Sequence, residues 1–364
     1  MADQPRDSAS GPQQAARSGR RRRRRRGRGG NRPAKAPSLP PAHYGALDLG
    51  TNNCRLLVAA PTEDSFRVVD AFSRIVRLGE GLSRSGELSQ AAQDRAIAAL
   101  KICAAKLDSR QVTRRRLIAT EACRGARNGL EFLERVRRET GLQLEIVNRE
   151  TEAKLAANSC APLLDRDASG AILFDIGGGS SELAFLGKAD EVDHGPPLAP
   201  VREWDSMPLG VVTLAERFGG ENVTSEVFSA MVEDVLPRVR AFAGKATAAA
   251  NGEIYLLGTS GTVTTLAGIH LDLPRYDRRR VDGIWLTHAE VTAVVGKLCA
   301  TSYQERVANP CIGAQRADLV LAGCAILEAI RRVFPCERLR VADRGLREGM
   351  LVELMRADGV WKRA

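Results

Sequence analysis

Apolar positions along the chain follow two periods, and the alternation between them sketches the fold. YGALDLG (44–50) and CRLLVAA (54–60) are nearly continuous apolar runs parted by a polar turn, and FRVVDAFSRIVRL (66–78) alternates in period two. All three predict strands. Ser89 opens a helical stretch with Ile97, Leu100, Ala104 and Leu107 on one face. RRLIATEAC (115–123) predicts a buried strand running into a loop, and LEFLERVRRETG (130–141) an amphipathic helix stopped by Gly141. LQLEIVN (142–148) reads as a further strand and RETEAKLAANSC (149–160) as a helix.

The second half repeats the opening. AILFDIGGGSSELAFL (171–186) sets strand, acid, glycine turn and strand in the order already met at 44–60. EIYLLGTSGTVTTLAG (253–268) predicts a third strand, a Gly/Ser/Thr turn over 258–262 and a helix. A long helix is expected over 224–244, and a turn followed by a helix over 342–359. Mixed strands and helices with one motif used twice imply an α/β protein of two similarly built lobes.

Charge divides the chain unevenly. The first 40 residues hold 12 basic and 2 acidic groups, including an unbroken run from Arg20 to Arg26, whereas the other 324 hold 42 of each. The arm is expected to be disordered, because like charges repel and nothing in it can form a core. It solubilises the protein or gathers polyanions such as polyphosphate or RNA; it has no aromatic residues for stacking on bases. No apolar run suits a secretory signal or a bilayer span, so no membrane association is expected. The eight cysteines form no CxxC pair and sit partly in apolar runs, which suits a reducing, cytoplasmic setting rather than a disulfide framework or zinc site. Four scattered histidines exclude an HExxH centre.

The two glycine turns carry the candidate chemistry. Asp48-Leu-Gly-Thr-Asn-Asn and Asp175-Ile-Gly-Gly-Gly-Ser-Ser each end a buried strand on an acid, turn on glycine and return along a strand. Bare amides at such turns, with hydroxyl and amide side chains, suit phosphate oxygens. Gly50, Thr51, Asn52 and Asn53 in the first turn, and Gly177, Gly178, Gly179, Ser180 and Ser181 in the second, are therefore candidate phosphate ligands, as are Gly261 and Thr262 in the third. The lysine of a Walker loop is missing, and a strand rather than a helix follows the first two turns, which excludes a dinucleotide fingerprint. Asp175 and Glu182 flank one hairpin and, with Asp48, form a hard oxygen set for Mg²⁺ or Mn²⁺ beside a phosphate cradle.

DLGTNNCRLLVA, ATEACRGARN, IVNRETEAKLA, FDIGGGSSELAF, LGTSGTVTTLAG, QRADLVLAG and ADRGLREGM occur in this order between about 43 and 355. Together they resemble the Ppx/GppA family of exopolyphosphatases and guanosine pentaphosphate phosphohydrolases, within the superfamily of acetate and sugar kinases, Hsc70 and actin. The resemblance implies two actin-like, ribonuclease H-like lobes around an active-site cleft. Lobe I would span 43–157, completed by the helix at 345–364, and lobe II 158–344. It implies hydrolysis of a terminal phosphoanhydride by water and Mg²⁺. Glu152 falls on the glutamate held to activate the water, Arg124 on an arginine facing the phosphates, and Arg55 and Arg316 where some members contact a nucleotide or the polyphosphate chain. Asp175 and Glu182 match metal-associated acids.

Three positions depart from the usual pattern: Asn53 stands where serine is common, TEA replaces EEA, and VDG (281–283) replaces VHG. The chain is expected to be a short form without the C-terminal HD-like domain of long members, and many members are homodimers. Exopolyphosphatase activity is the leading expectation, with guanosine pentaphosphate 5′-phosphohydrolase or a bifunctional enzyme as the close rival. A non-catalytic alarmone or phosphate sensor is the rival from another class.

Overall fold

The computed structural model describes residues 43–188, 194–246 and 253–361; the arginine-rich arm lies outside them. Its strands are β1 (Tyr44–Leu49), β2 (Asn53–Pro61), β3 (Phe66–Ile75), β4 (Arg114–Ala119), β5 (Glu145–Ile146), β6 (Gly170–Ile176), β7 (Ser181–Leu186), β8 (Val201–Met207), β9 (Ile254–Thr259), β10 (Trp285–Thr287) and β11 (Arg338–Val341). The helices are α1 (Leu82–Ser85), α2 (Gln90–Ser109), α3 (Glu121–Gly125), α4 (Gly129–Thr140), α5 (Arg149–Cys160), α6 (Val211–Phe218), α7 (Ser225–Ala246), α8 (Ser260–His270), α9 (Arg278–Val281), α10 (His288–Cys299), α11 (Tyr303–Ala308), α12 (Val320–Val333) and α13 (Leu346–Ala357).

The strands form two sheets, ordered β3-β2-β1-β4-β5 and β10-β11-β9-β6-β7-β8. In the first, β1 pairs antiparallel with β2 and parallel with β4. In the second, β6 pairs antiparallel with β7 and parallel with β9. Apart from the added β10, one sheet therefore repeats the other strand for strand, and the turn repeat seen in sequence extends to whole topology. This bears out two actin-like lobes. Strands β6 and β7 are buried at every position because both faces of their sheet are covered, which explains their unbroken apolar runs.

Three apolar clusters lie in layers. One joins the first sheet to α2 and α4. Another joins the second sheet to α7, α8, α10 and α12. The middle cluster draws on both sheets and fills the gap between them with α5 and α13. Helix α13 packs on α5 and on β1, although it follows every strand of the second sheet. Tyr44 Oη and Arg114 both donate to Asp358, and Trp361 Nε1 donates to the Thr62 carbonyl. A second tie joins the lobes through Arg77–Asp318 (3.0 Å) and through the Gly81 amide on Glu216 (2.8 Å).

Capping fixes several boundaries read from sequence. Ser89 accepts from the Ala92 amide, Asn148 accepts from the Thr151 amide, and Gly141 closes α4 at φ 70°. Other expectations change. The strand expected over 142–148 shrinks to Glu145–Ile146, because β5 pairs only with the end of β4 and Asn148 already caps α5. The strand expected over 66–78 stops at Ile75, and the loop after β4 is the short helix α3. The third turn is shorter than expected: β9 passes directly at Ser260 into the expected helix, α8, so Gly261 and Thr262 lie in its first turn.

Candidate active site

The two hairpin turns are built alike. The Gly50 amide donates to the Asn53 carbonyl (2.9 Å) and the Gly177 amide to the Ser180 carbonyl (3.0 Å). Asp48 stands opposite Arg55 in the first hairpin, and Asp175 opposite Glu182 in the second. The glycines are needed because the turns pack on each other. A Cβ on Gly178 would stand 3.1 Å from Thr51 Cβ and 3.2 Å from the Asn52 amide, and one on Gly179 would stand 2.7 Å from Thr51 Oγ1. Helix α6 closes the back of the second turn, its Val211 and Val212 amides donating to the Gly177 (3.0 Å) and Gly178 (2.8 Å) carbonyls.

A cavity of about 720 Å³ opens where the turns meet. Every sequence-predicted site residue except Arg124 and Ser181 lines it. Ser181 is fully buried and its hydroxyl donates to the Leu209 carbonyl (2.8 Å), so it braces the hairpin instead of facing the cavity. Gly261 and Thr262 reach the cavity from the start of α8. Arg316 lies in the turn before α12, with Nη2 on the Cys311 carbonyl (3.2 Å). Burial, followed by the charge of Arg55, holds its guanidinium below the ordinary arginine range. The Arg55 guanidinium makes no hydrogen bond or ion pair among the described residues, leaving its donors for a ligand.

Burial governs the acids. It lifts the Asp48 carboxyl to about 6 against the pull of Arg55 and Arg347. It lifts Glu152 to about 7 although Arg124 Nη1 lies 2.6 Å from its Oε1, and Asp48 and Asp175 add repulsion. Burial also raises Asp175, against a hydroxyl donated by Ser260, and raises Glu182 further, with Glu152 and Asp175 repelling it. Glu152 is 5% exposed, and only its Oε1 is hydrogen-bonded. Its other oxygen is left for a ligand or water.

Arg124 is placed differently from the expectation. Its Nε and Nη2 both grip Glu121, and its Nη1 donates to the Val147 carbonyl and to Glu152, each at 2.6 Å. Arg149 donates to the same Glu121 (3.0 Å). Glu121, Arg149 and Ser260 were not singled out from sequence, since their importance comes from partners 28 to 85 positions away.

The donors suit a divalent cation. Four desolvated acids repel one another here, and Asp48 Oδ1 is buried with no hydrogen-bond partner. Among the described residues, no three His, Cys, Asp or Glu side chains converge into an all-protein metal cage. A divalent cation bound here would therefore take only one or two of these carboxylates and complete its shell with water and phosphate oxygens.

The signature of the Ppx/GppA phosphatase family matches residues 57–358. A Haemophilus influenzae protein named "Putative exopolyphosphatase" is 27% identical over 327 residues, covering 87% of this chain and 94% of its own. The Aeromonas hydrophila guanosine-5′-triphosphate,3′-diphosphate pyrophosphatase is 27% identical over 86% of this chain, which spans only 59% of that protein. The crystal structure of the Aquifex aeolicus Ppx/GppA family member superimposes with a TM-score of 0.72 at 29% identity, covering 89% of this chain and all of the other.

Proposed function

The chain belongs to the Ppx/GppA phosphatase family, and from that premise we propose that it is an exopolyphosphatase, hydrolysing the terminal phosphoanhydride of inorganic polyphosphate. The observation that carries the reading is the interlocked pair of glycine turns facing a buried Glu152 whose second oxygen is unbound. Near-full coverage of a relative named for this activity supports it.

In this reading the turn amides and the Thr51 and Ser180 hydroxyls hold the terminal phosphate, while Arg55 and Arg316 hold the following phosphates. Glu152 accepts a proton from the attacking water; the new oxygen–phosphorus bond forms as the bridging bond breaks, and the shortened chain leaves as an anion. A carboxyl lifted to about 7 is well matched to take that proton near neutral pH. One or two of Asp175, Glu182 and Asp48 would hold Mg²⁺, with water and phosphate oxygens completing its shell, and the ion would supply charge neutralisation on the transferred phosphoryl group.

A second reading, release of the 5′ γ-phosphate of guanosine pentaphosphate, is supported by equal identity to the Aeromonas relative. Parallel turnover of long polyphosphate and guanosine pentaphosphate by the purified protein separates the two. Glu152→Gln should cut phosphate release at least about 100-fold and leave substrate binding within a few-fold. Unchanged release would overturn the proton-acceptor role.

A further inference from the structure

Glu121 has no role in the chemistry above, yet it stands where two arginines and a phosphate turn converge. It begins α3 directly after β4, and it lines the cavity. Its Oε2 takes both Nε and Nη2 of Arg124, and its Oε1 takes Nη2 of Arg149 (3.0 Å). Its Cγ is 3.3 Å from where a Cβ on Gly179 would be, so the carboxylate abuts the second phosphate turn.

The geometry has two effects. A guanidinium gripped through Nε and Nη2 has one remaining edge, and Arg124 directs that edge, Nη1, at Glu152 Oε1 (2.6 Å). The grip thus sets where Glu152 points and which of its oxygens stays open. Two guanidiniums next to a phosphate site are also occupied by an internal anion instead of by substrate.

We infer that Glu121 is a positioning residue that clamps Arg124 onto Glu152, and that its carboxylate occupies Arg124 and Arg149 in place of a phosphate, so that binding strength is surrendered for a fixed proton acceptor. The inference rests on the hydrolase reading for its rate effect only. The binding effect stands apart from turnover.

The test compares wild type, Glu121→Gln and Glu121→Asp in two assays. Calorimetry with inorganic tripolyphosphate and no added metal reads binding without turnover. Neutral Gln loosens the hold on Arg124 Nε and Nη2 and on Arg149 and removes a charge beside the turn, so its affinity should rise about five- to tenfold. Asp keeps the charge but withdraws the carboxylate by one methylene, so its affinity should stay within about twofold of wild type.

In phosphate release from polyphosphate, both variants should lose about tenfold or more in kcat, and only Gln should also show a lower KM. A fold defect alone would lower kcat with KM unchanged in both. Unchanged or weaker tripolyphosphate binding by Gln overturns the inference, as does wild-type kcat in either variant. Tighter binding by Gln with no turnover by wild type would sink the hydrolase reading and uphold the charge effect of Glu121. Should the Gln variant not fold, Asp with undiminished kcat would still refute the clamp.

Discussion

Gly210 offers a sharp test of how the second turn is held. It caps α6 in an extended conformation (φ −134°, ψ −173°) that alanine adopts freely, so any cost of Gly210→Ala must be steric. The added Cβ would stand 2.5 Å from both the Gly177 and Gly178 carbonyl oxygens and 2.6 Å from Gly178 C. Carbon–oxygen contacts settle at about 3.3 Å, so helix and turn must part by about 0.8 Å. Backbone blocks both sides, and no side chain can swing away. Overpacking of this kind costs about 1–3 kcal/mol, which for a body of this size lowers Tm by a few degrees. Because the displaced atoms belong to the phosphate turn, kcat should fall about 10- to 100-fold, the scale of loss for a misplacement near 1 Å. Phosphate-release kinetics on protein shown folded by thermal melting would measure it. A variant with wild-type kcat and Tm would show that α6 does not set the position of the turn.

Two further outcomes follow from positions away from that contact. Gly296 lies in α10 with nothing within 4 Å of its added Cβ, so Gly296→Ala should stabilise by about 0.5–1 kcal/mol and raise Tm without changing kcat; a lower Tm would contradict the open space there. In metal-free protein, Glu152 binds its proton more tightly when folded (about 7) than when unfolded (4.5). Its contribution to stability is therefore full below about pH 4.5 and is lost as pH rises to about 7, amounting to ~3 kcal/mol at most. Melting in EDTA across pH 5 to 8 should fall more steeply for wild type than for Glu152→Gln, and identical slopes would refute it.

Sequence disclosed those parts of the site whose chemistry and geometry are local. The strand-end acids Asp48 and Asp175 and the glycines after them are contiguous, and a hairpin of that composition can turn in few ways. Duplication of the whole sheet left no trace beyond the turns, because pairing of β6 with β9 depends on apolar runs that many sequences satisfy. Gly210 and Glu121 stayed hidden for another reason. Each matters only through a contact made after folding, with Gly177 and Gly178 in one case and with Arg149 in the other. Ser181 shows the opposite error: a hydroxyl in the right motif points away, because alternate strand residues face opposite sides.

The placement of α13 bears on how the molecule is made. The strands of the first sheet leave the ribosome before those of the second, yet the middle core needs Leu346, Met350 and Leu351 to close against Tyr44 and Ala46. A nascent chain must keep that early apolar surface out of trouble while some three hundred further residues are synthesised. Holdase chaperones would meet the lobe translated first, and its hydrophobic debt would be settled only when the final helix arrives.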